Sequence, residues 1–333
     1  MSAEFHDYGI SQKGEIVHRV VLTSELLNVS VLTWGAVLQD VRLSGIAHPL
    51  TLGSPLLAAY ENRMGSFGAL MGPVVNRIRN ASALVDGKVV HFEANLDGKH
   101  TKHGGSSGTQ SGVWTVLESS PTHVLLEMEL KDQLSGFPGN RRIRTEYRVD
   151  GAALDIVVIG TTDRPTLLNL ANHSYWNLDG EGTVEGHLLW IDADRYTVNG
   201  DDLMATGEVQ TVAQTKFDFQ APREFGCSPE NRFDLNYCLA DRKRELTEVC
   251  RVAGRSGVRM TMSTTEPGLQ LFDLGSFQTD PFPGHSGEPY PRFSGIALEA
   301  QGWPDAANHP DFPSIEVTPA HPYHQHTRWT FSS

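Results

Sequence analysis

An alternation of apolar and polar residues with a period of two is what most constrains this chain. Ile143, Thr145, Tyr147 and Val149 alternate with Arg144, Glu146 and Arg148. An extended segment with that pattern has one face for a core and one for water. Asp150-Gly151 follows, and then the apolar run Leu154–Gly160. Glycine supplies the positive φ of a tight hairpin, so the second run is expected to return along the first. Asp86-Gly87 ahead of Lys88–Phe92 is a second hairpin signal. Val17–Thr23, Leu27–Thr33, Val124–Leu130, Val258–Thr264 and Leu269–Leu274 are further runs of strand length. Helical evidence is confined to Ser54-Pro55 before Leu56–Tyr60, which predicts one short helix with proline at its first position. No β–α–β alternation occurs, which argues against a doubly wound nucleotide fold. There is no internal repeat and no linker, and Asp280–Pro291 is expected to be a loop between strands. The pattern predicts an all-β protein: one large antiparallel β domain over residues 1–333.

Composition narrows the function. Hydrophobic residues make up 39% of the 333 residues, enough to bury a core and unlike a disordered chain. No apolar run approaches the roughly 20 residues that span a bilayer, so no membrane partner is expected. The net charge of −13 argues against nucleic acid, whose phosphates need a basic surface. The opening Met-Ser-Ala-Glu-Phe-His-Asp has no basic start followed by an apolar stretch, and so no secretory signal. Cys227, Cys238 and Cys250 are odd in number and match no zinc spacing, which suits reduced thiols in a cytoplasm.

Four segments are polar and aromatic where a sheet core should be apolar. Gly72-Pro73-Val74-Val75-Asn76-Arg77-Ile78 carries an arginine after small apolar residues, and a guanidinium in a cleft can clamp two oxygens of one ligand. Lys102-His103-Gly104-Gly105 has glycines that allow close backbone approach to a ligand. It reads equally as a turn beside a surface histidine. In Ala171–Leu178, His173, Tyr175 and Asn177 share one face if the segment is extended. A proton-transfer group, an aromatic ring and an amide together suit a sugar, whose C–H face takes rings and whose hydroxyls take polar groups. A core histidine in an aromatic layer explains that segment as well. Gly295–Ala306 has Glu299 interrupting an apolar strand, and carboxylates are rarely buried unless paired or used. An edge-strand glutamate facing water is the alternative. Asp234, ahead of Tyr237–Leu239, and Gln270, just after a turn, are weaker candidates. His324 and His326 would face one way on a strand, but no carboxylate or cysteine at ligand spacing accompanies them, so no metal site is expected.

Taken together, the residues resemble the aldose 1-epimerase (galactose mutarotase) family. The matches are Asn76-Arg77-Ile78, His103-Gly104-Gly105, Asn172–Leu178, Pro267-Gly268-Leu269-Gln270, Leu298-Glu299-Ala300-Gln301, Trp303-Pro304-Asp305-Ala306 and Asn308. They run in the family's order from about Tyr60 to Phe312. The resemblance implies a single large antiparallel β-sandwich of the galactose mutarotase-like (supersandwich) type. It implies interconversion of the α and β anomers of a free aldose with no cofactor, by a monomer or homodimer. Carried over by position, Glu299 is the general base and His173 the general acid, while Asn76, Arg77, His103, Tyr175, Asp234 and Gln270 hold the sugar. A carboxylate and an imidazolium can together move the two protons that ring opening requires. Anionic Asp234 would favour imidazolium at His173, and burial would oppose it.

This sequence departs from the family at five positions. Pro73 stands where Arg is usual, Lys102 for Leu, Leu235 for His, Glu266 for Gln and Trp176 for Phe. The acid and base are untouched. Lys102, Leu235 and Trp176 are expected near the pocket, where they bear on sugar preference, and the sugar itself is expected to be neutral. Two other readings use the same residues. Pro73 and Leu235 motivate a sugar-binding or regulatory protein without turnover. Glu299 and Asp234 could be the paired carboxylates of a glycoside hydrolase or lyase, although His173 then has no role.

Overall fold

In the computed structural model, which describes residues 3–333, the Asp150-Gly151 signal is a two-residue hairpin. Arg141–Asp150 and Ala153–Thr162 pair antiparallel down to Asp150 opposite Ala153, and Gly151 takes φ +53°. Ile143, Thr145, Tyr147 and Val149 are buried while Arg144 and Arg148 are exposed, as a pleated strand on a core requires. At the second hairpin, Asp86 and Gly87 both have positive φ. Their twist matches that of the flanking strands Ser82–Val85 and Lys88–His91. Met1 and Ser2, which open the N-terminal stretch discussed above, lie outside the described residues.

Three antiparallel sheets carry most of the chain. The largest has nine strands. Thr115–Ser120, His123–Leu130, Arg141–Asp150 and Ala153–Thr162 follow one another as a meander. Tyr323–Ser332 then inserts between Ala153–Thr162 and Arg259–Thr264, and Thr247–Ala253, Leu188–Ile191 and Arg223–Glu224 complete the sheet. The second sheet has six strands in the order Tyr175–Trp176, Ile296–Gln301, Gly268–Phe272, Asp234–Cys238, Arg195–Asn199, Ala205–Thr211. The third, at the N-terminus, is a four-stranded meander from Glu4–Ile10 to Leu38–Leu43. The expected all-β sandwich is what forms.

Aromatic side chains join the two larger sheets. The Trp176 ring lies 5.5 Å from that of Trp329 and 5.6 Å from that of Phe331, both on the Tyr323–Ser332 strand. Leu235, Tyr237, Leu269, Leu271, Ile296 and Leu298 belong to the same buried cluster. The six-stranded sheet is covered on its other side too, and Ile296–Gln301 is buried at every position. With alternation on a strand buried on both faces, Leu298 faces the core and Glu299 faces the opposite side. Register carries this across the sheet, because Gln270 is opposite both Glu299 and Asn236.

The short helix spans Leu57–Tyr60 and begins two residues beyond Pro55, not at it. Ser54 is pinned first. Its N–H donates to the Tyr60 hydroxyl at 2.8 Å, and its carbonyl accepts from Gln39 Nε2 at 3.1 Å. Leu56 is still extended at φ −110°, so Ser54-Pro55 leads into the helix without capping it. The Asp280–Pro291 segment is a loop, as expected.

Trp176 fills the space between two sheets, so truncating it leaves a cavity. Trp176→Ala is expected to lower unfolding free energy by about 3–5 kcal/mol, read as a drop in the urea midpoint. A loss below about 1 kcal/mol would show that the sheets close over the gap.

Candidate active site

Two adjacent rows of side chains on the outer face of the six-stranded sheet form the floor of a cavity of about 250 Å³. Tyr175, Phe272 and Asp234 lie in one row, through the pairs Tyr175–Ala297, Phe272–Ala297 and Asp234–Phe272. Glu299 and Gln270 lie in the next. Loops of the N-terminal half supply the walls with Arg63, Ser66, Phe67, Asn76, Arg77, Lys102 and His103. The volume is just under the roughly 300–1,000 Å³ of drug-sized ligand sites, which suits a small polar molecule. All eight candidate residues line this one cavity: Asn76, Arg77, His103, His173, Tyr175, Asp234, Gln270 and Glu299.

Asn76 and His103 are locked to each other. Both have positive φ, +63° and +50°. The Asn76 N–H donates to His103 Nδ1 at 3.2 Å, and the His103 N–H donates to the Asn76 carbonyl at 2.8 Å. Nδ1 is therefore an acceptor, and the neutral ring carries its proton on Nε2. Burial, reinforced by Lys102, His173 and Arg77, holds His103 well below the usual histidine range. Gly104, the first glycine of the motif, does not line the cavity. At φ +77°, a Cβ there would sit 2.3 Å from the Gly72 carbonyl oxygen, so the glycine permits one loop to pack on another.

Asp234 is held by two donors. Gln270 Nε2 donates to Oδ1 at 2.6 Å and Arg77 Nη2 to Oδ2 at 3.3 Å. Arg77 Nη1 also donates to Asn76 Oδ1 at 3.2 Å. The aspartate belongs to the strand Asp234–Cys238 itself, ahead of the Tyr237 at which the sequence pattern begins.

His173 and Glu299 meet at the centre, with Nε2 and Oε1 3.4 Å apart and both residues buried. Among the described residues, His173 Nδ1 and Glu299 Oε2 have no hydrogen-bond partner. Burial first, and then the nearby Asp234, pushes the Glu299 carboxyl up to about 8, against Lys102 and Arg77. Burial pushes His173 down to about 3. Lys102 lowers it further, and the favourable field of Asp234 expected at His173 does not figure among the causes. Tyr175 packs its ring 5.0 Å from that of His173 and 4.4 Å from that of Phe67.

The Ala171–Leu178 segment is not one continuous strand. Ala171–Asn172 pairs with Leu70–Met71, whereas Tyr175–Trp176 pairs with Ile296–Ala297. His173 bridges two pairing partners, and Asn177 leaves the shared face to donate to the Ser294 carbonyl at 2.8 Å. Of the unusual residues only Lys102 lines the cavity. Trp176 and Leu235 point into the core, because each follows a cavity-facing residue by one position. Glu266 is buried against Lys243, 2.7 Å away, away from this site. The Trp303–Ala306 turn does not enter the cavity. Asp305 Oδ1 accepts from the Arg79 N–H at 2.9 Å, and so fastens the Arg77 segment to the end of the Glu299 strand. His326 pairs with Asp155 at 2.6 Å. Sequence reasoning missed Arg63, Ser66, Phe67, Phe272, Ser276 and Phe277. Phe272 was available, being two residues from Gln270 on one strand.

The aldose 1-epimerase family profile matches residues 18–330. Galactose mutarotase of Rattus norvegicus is 34% identical over 327 residues, covering 95% of this chain and 94% of that protein. Aldose 1-epimerase of Escherichia coli (strain K12) is 30% identical over 321 residues, covering 91% of each. The crystal structure of the GalM/aldose epimerase homologue from C. elegans superposes with a TM-score of 0.86 at 28% identity, over 94% of this chain and 98% of that one. This chain belongs to the aldose 1-epimerase family.

Proposed function

We propose that this protein interconverts the α and β anomers of a free aldose, with Glu299 as general base and His173 as general acid. The reading is carried by the 3.4 Å approach of His173 to Glu299 inside a cavity that presents both hydrogen-bonding groups and aromatic rings. Mutarotation needs the C1 hydroxyl to lose a proton while the ring oxygen gains one. The ring opens to the aldehyde, the C1–C2 bond rotates, and the ring recloses on the other face. Only protons move, and no electron or group leaves the sugar, so two side chains suffice without a cofactor. Asn76, Arg77, His103, Asp234 and Gln270 hold the hydroxyls, and Tyr175 covers a C–H face. Both oxygens of Asp234 are already engaged by Arg77 and Gln270, which suits a binding role over that of a second catalytic carboxylate. Residues from Arg63 to Glu299 share the site, so we take residues 1–333 as one functional domain, complete in a single copy and acting as a cytoplasmic monomer or homodimer.

The proton inventory supports the pairing. Neutral Glu299 with neutral His173 carries the same number of protons as carboxylate with imidazolium. Transfer of one proton across the gap turns the resting form into the working form. Between about 3 and about 8 the pair holds that one proton. Above about 8 it is lost and no acid remains, and below about 3 a second proton removes the base. The profile of kcat/KM against pH should therefore fall on the alkaline side above about 8. Rates that keep rising through that range would contradict the shared proton.

Polarimetry on freshly dissolved α-D-glucose, α-D-galactose or a pentose tests the activity itself. Decay of rotation at the buffer rate for every sugar would sink the proposal. Glu299→Gln and His173→Asn should each cost at least about 10²-fold in kcat while the protein stays folded.

The raised carboxyl also has a stability sign. Glu299 binds its proton more tightly folded than unfolded, so its favourable contribution is complete below about 4.5 and is lost as pH rises through about 8. Glu299→Gln carries no such loss. Its melting temperature relative to wild type should climb between pH 5 and pH 8, and a constant difference would refute the assigned shift.

A further inference from the structure

Two cations line the mouth of the cavity without an anionic partner. Lys102 lies directly opposite Arg77 in the short ladder joining Arg77–Ile78 to Thr101–Lys102. Like charges opposite one another repel. Arg77 is compensated by Asp234. For Lys102, only the backbone is engaged, by Asn95, whose side chain accepts from the lysine N–H and donates to its carbonyl. Among the described residues its ammonium has no hydrogen bond and no ion pair. Arg63 donates to the Gln278 carbonyl at 2.8 Å and lies over the Phe277 ring, and it too lacks a carboxylate. Lys102 and Arg63 line both the inner cavity and an adjoining outer trough of about 530 Å³, so they stand at the boundary between the two.

The charge balance of the cavity therefore runs against that of the chain. The chain carries −13. The cavity is lined by Arg63, Arg77 and Lys102 against Asp234 and Glu299, and burial keeps Glu299 protonated near neutrality. The Arg77–Asp234 pair cancels, which leaves Lys102 and Arg63 at the mouth with no carboxylate in contact among the described residues. A neutral sugar leaves the half-buried Lys102 ammonium with only the field of Asp234, already paired with Arg77, and with no ion pair of its own. We infer that the preferred substrate is an aldose bearing an anionic group, a carboxylate or a phosphate, on its exocyclic carbon, with Lys102 and Arg63 receiving that group. This rests on the epimerase reading and replaces the neutral sugar expected from the sequence. With C1 at the Glu299–His173 floor, the anionic group lies at the mouth, where residual solvent lowers the cost of stripping water from it.

Polarimetry tests the inference by selectivity. D-Galacturonate and D-glucuronate form one arm, D-galactose 6-phosphate and D-glucose 6-phosphate a second, and D-galactose and D-glucose the neutral reference. In low salt, kcat/KM for at least one anionic arm should exceed that of the neutral sugar of the same configuration by about tenfold or more, the size of a charge-assisted hydrogen bond. The preferred arm identifies the anion. Raising salt should shrink the ratio. Lys102→Met should collapse it, and Lys102→Arg should retain it. Equal kcat/KM for anionic and neutral sugars, or a ratio unmoved in Lys102→Met, overturns the inference. Calorimetric titration with galacturonate and galactose gives the same ratio without turnover. Failure of every sugar to turn over would reject the epimerase reading alone, whereas equal affinities would reject the anionic preference.

Discussion

A carboxyl group sits on the second strand of a six-stranded sheet covered on both faces, and among the described residues no cation bonds to it. Glu299 is fully enclosed on the strand Ile296–Gln301, and its closest ionisable partner is a histidine that burial keeps neutral. Such a group is costly to leave charged, so it is held protonated beside a neutral histidine. The surroundings follow from that choice. Asp234 lies close enough to raise the carboxyl but is itself fastened by Gln270 and Arg77. His103 is fixed by the backbone of Asn76 as a neutral donor. Asp234 and Arg77 are tied to each other, and the proposed acid and base are left with unpartnered atoms.

How far this could be read from the sequence depends on the kind of element. The strand Arg141–Asp150 has one wet face, so its alternation is explicit and its hairpin follows. Ile296–Gln301 has no wet face, and its sequence carries only the anomaly of Glu299 within an apolar run. That anomaly is legible as a buried group, but its partner His173 lies on a segment whose pairing changes from one strand to another. Local periodicity cannot express such a change, so Asn177 was grouped wrongly with His173 and Tyr175. Motif order found eight of the floor and wall residues because it reads position directly. Arg63, Ser66, Phe67, Ser276 and Phe277 lie on loops, where neither period nor spacing marks a direction. The same rule explains Leu235 and Trp176. Each sits one residue beyond a cavity-facing side chain, and a strand sends neighbours to opposite faces.

Left-handed backbone also occurs beside the proposed acid and base. Asn76 and His103 both adopt the left-handed region, which costs non-glycine residues energy unless the surroundings over-determine it. Their reciprocal hydrogen bonds and the glycine contact at Gly104 provide that determination. Asp305, bonded to the Arg79 N–H, extends the clamp from the loops to the end of the Glu299 strand. The walls are thus anchored to the floor through backbone groups, and a ligand would not have to order them first.

The Tyr323–Ser332 strand has a consequence for how the molecule is made. It is central in the nine-stranded sheet, between segments that are complete some 160 and 60 residues earlier in the chain. Until it arrives, Ala153–Thr162 and Arg259–Thr264 each present an unpaired edge, the kind of surface on which chains associate with one another. Synthesis therefore passes through a stage in which most of the sandwich exists but its seam is open. Closure of the seam, and with it the packing of Trp329 and Phe331 on Trp176, waits for the last strand to leave the ribosome.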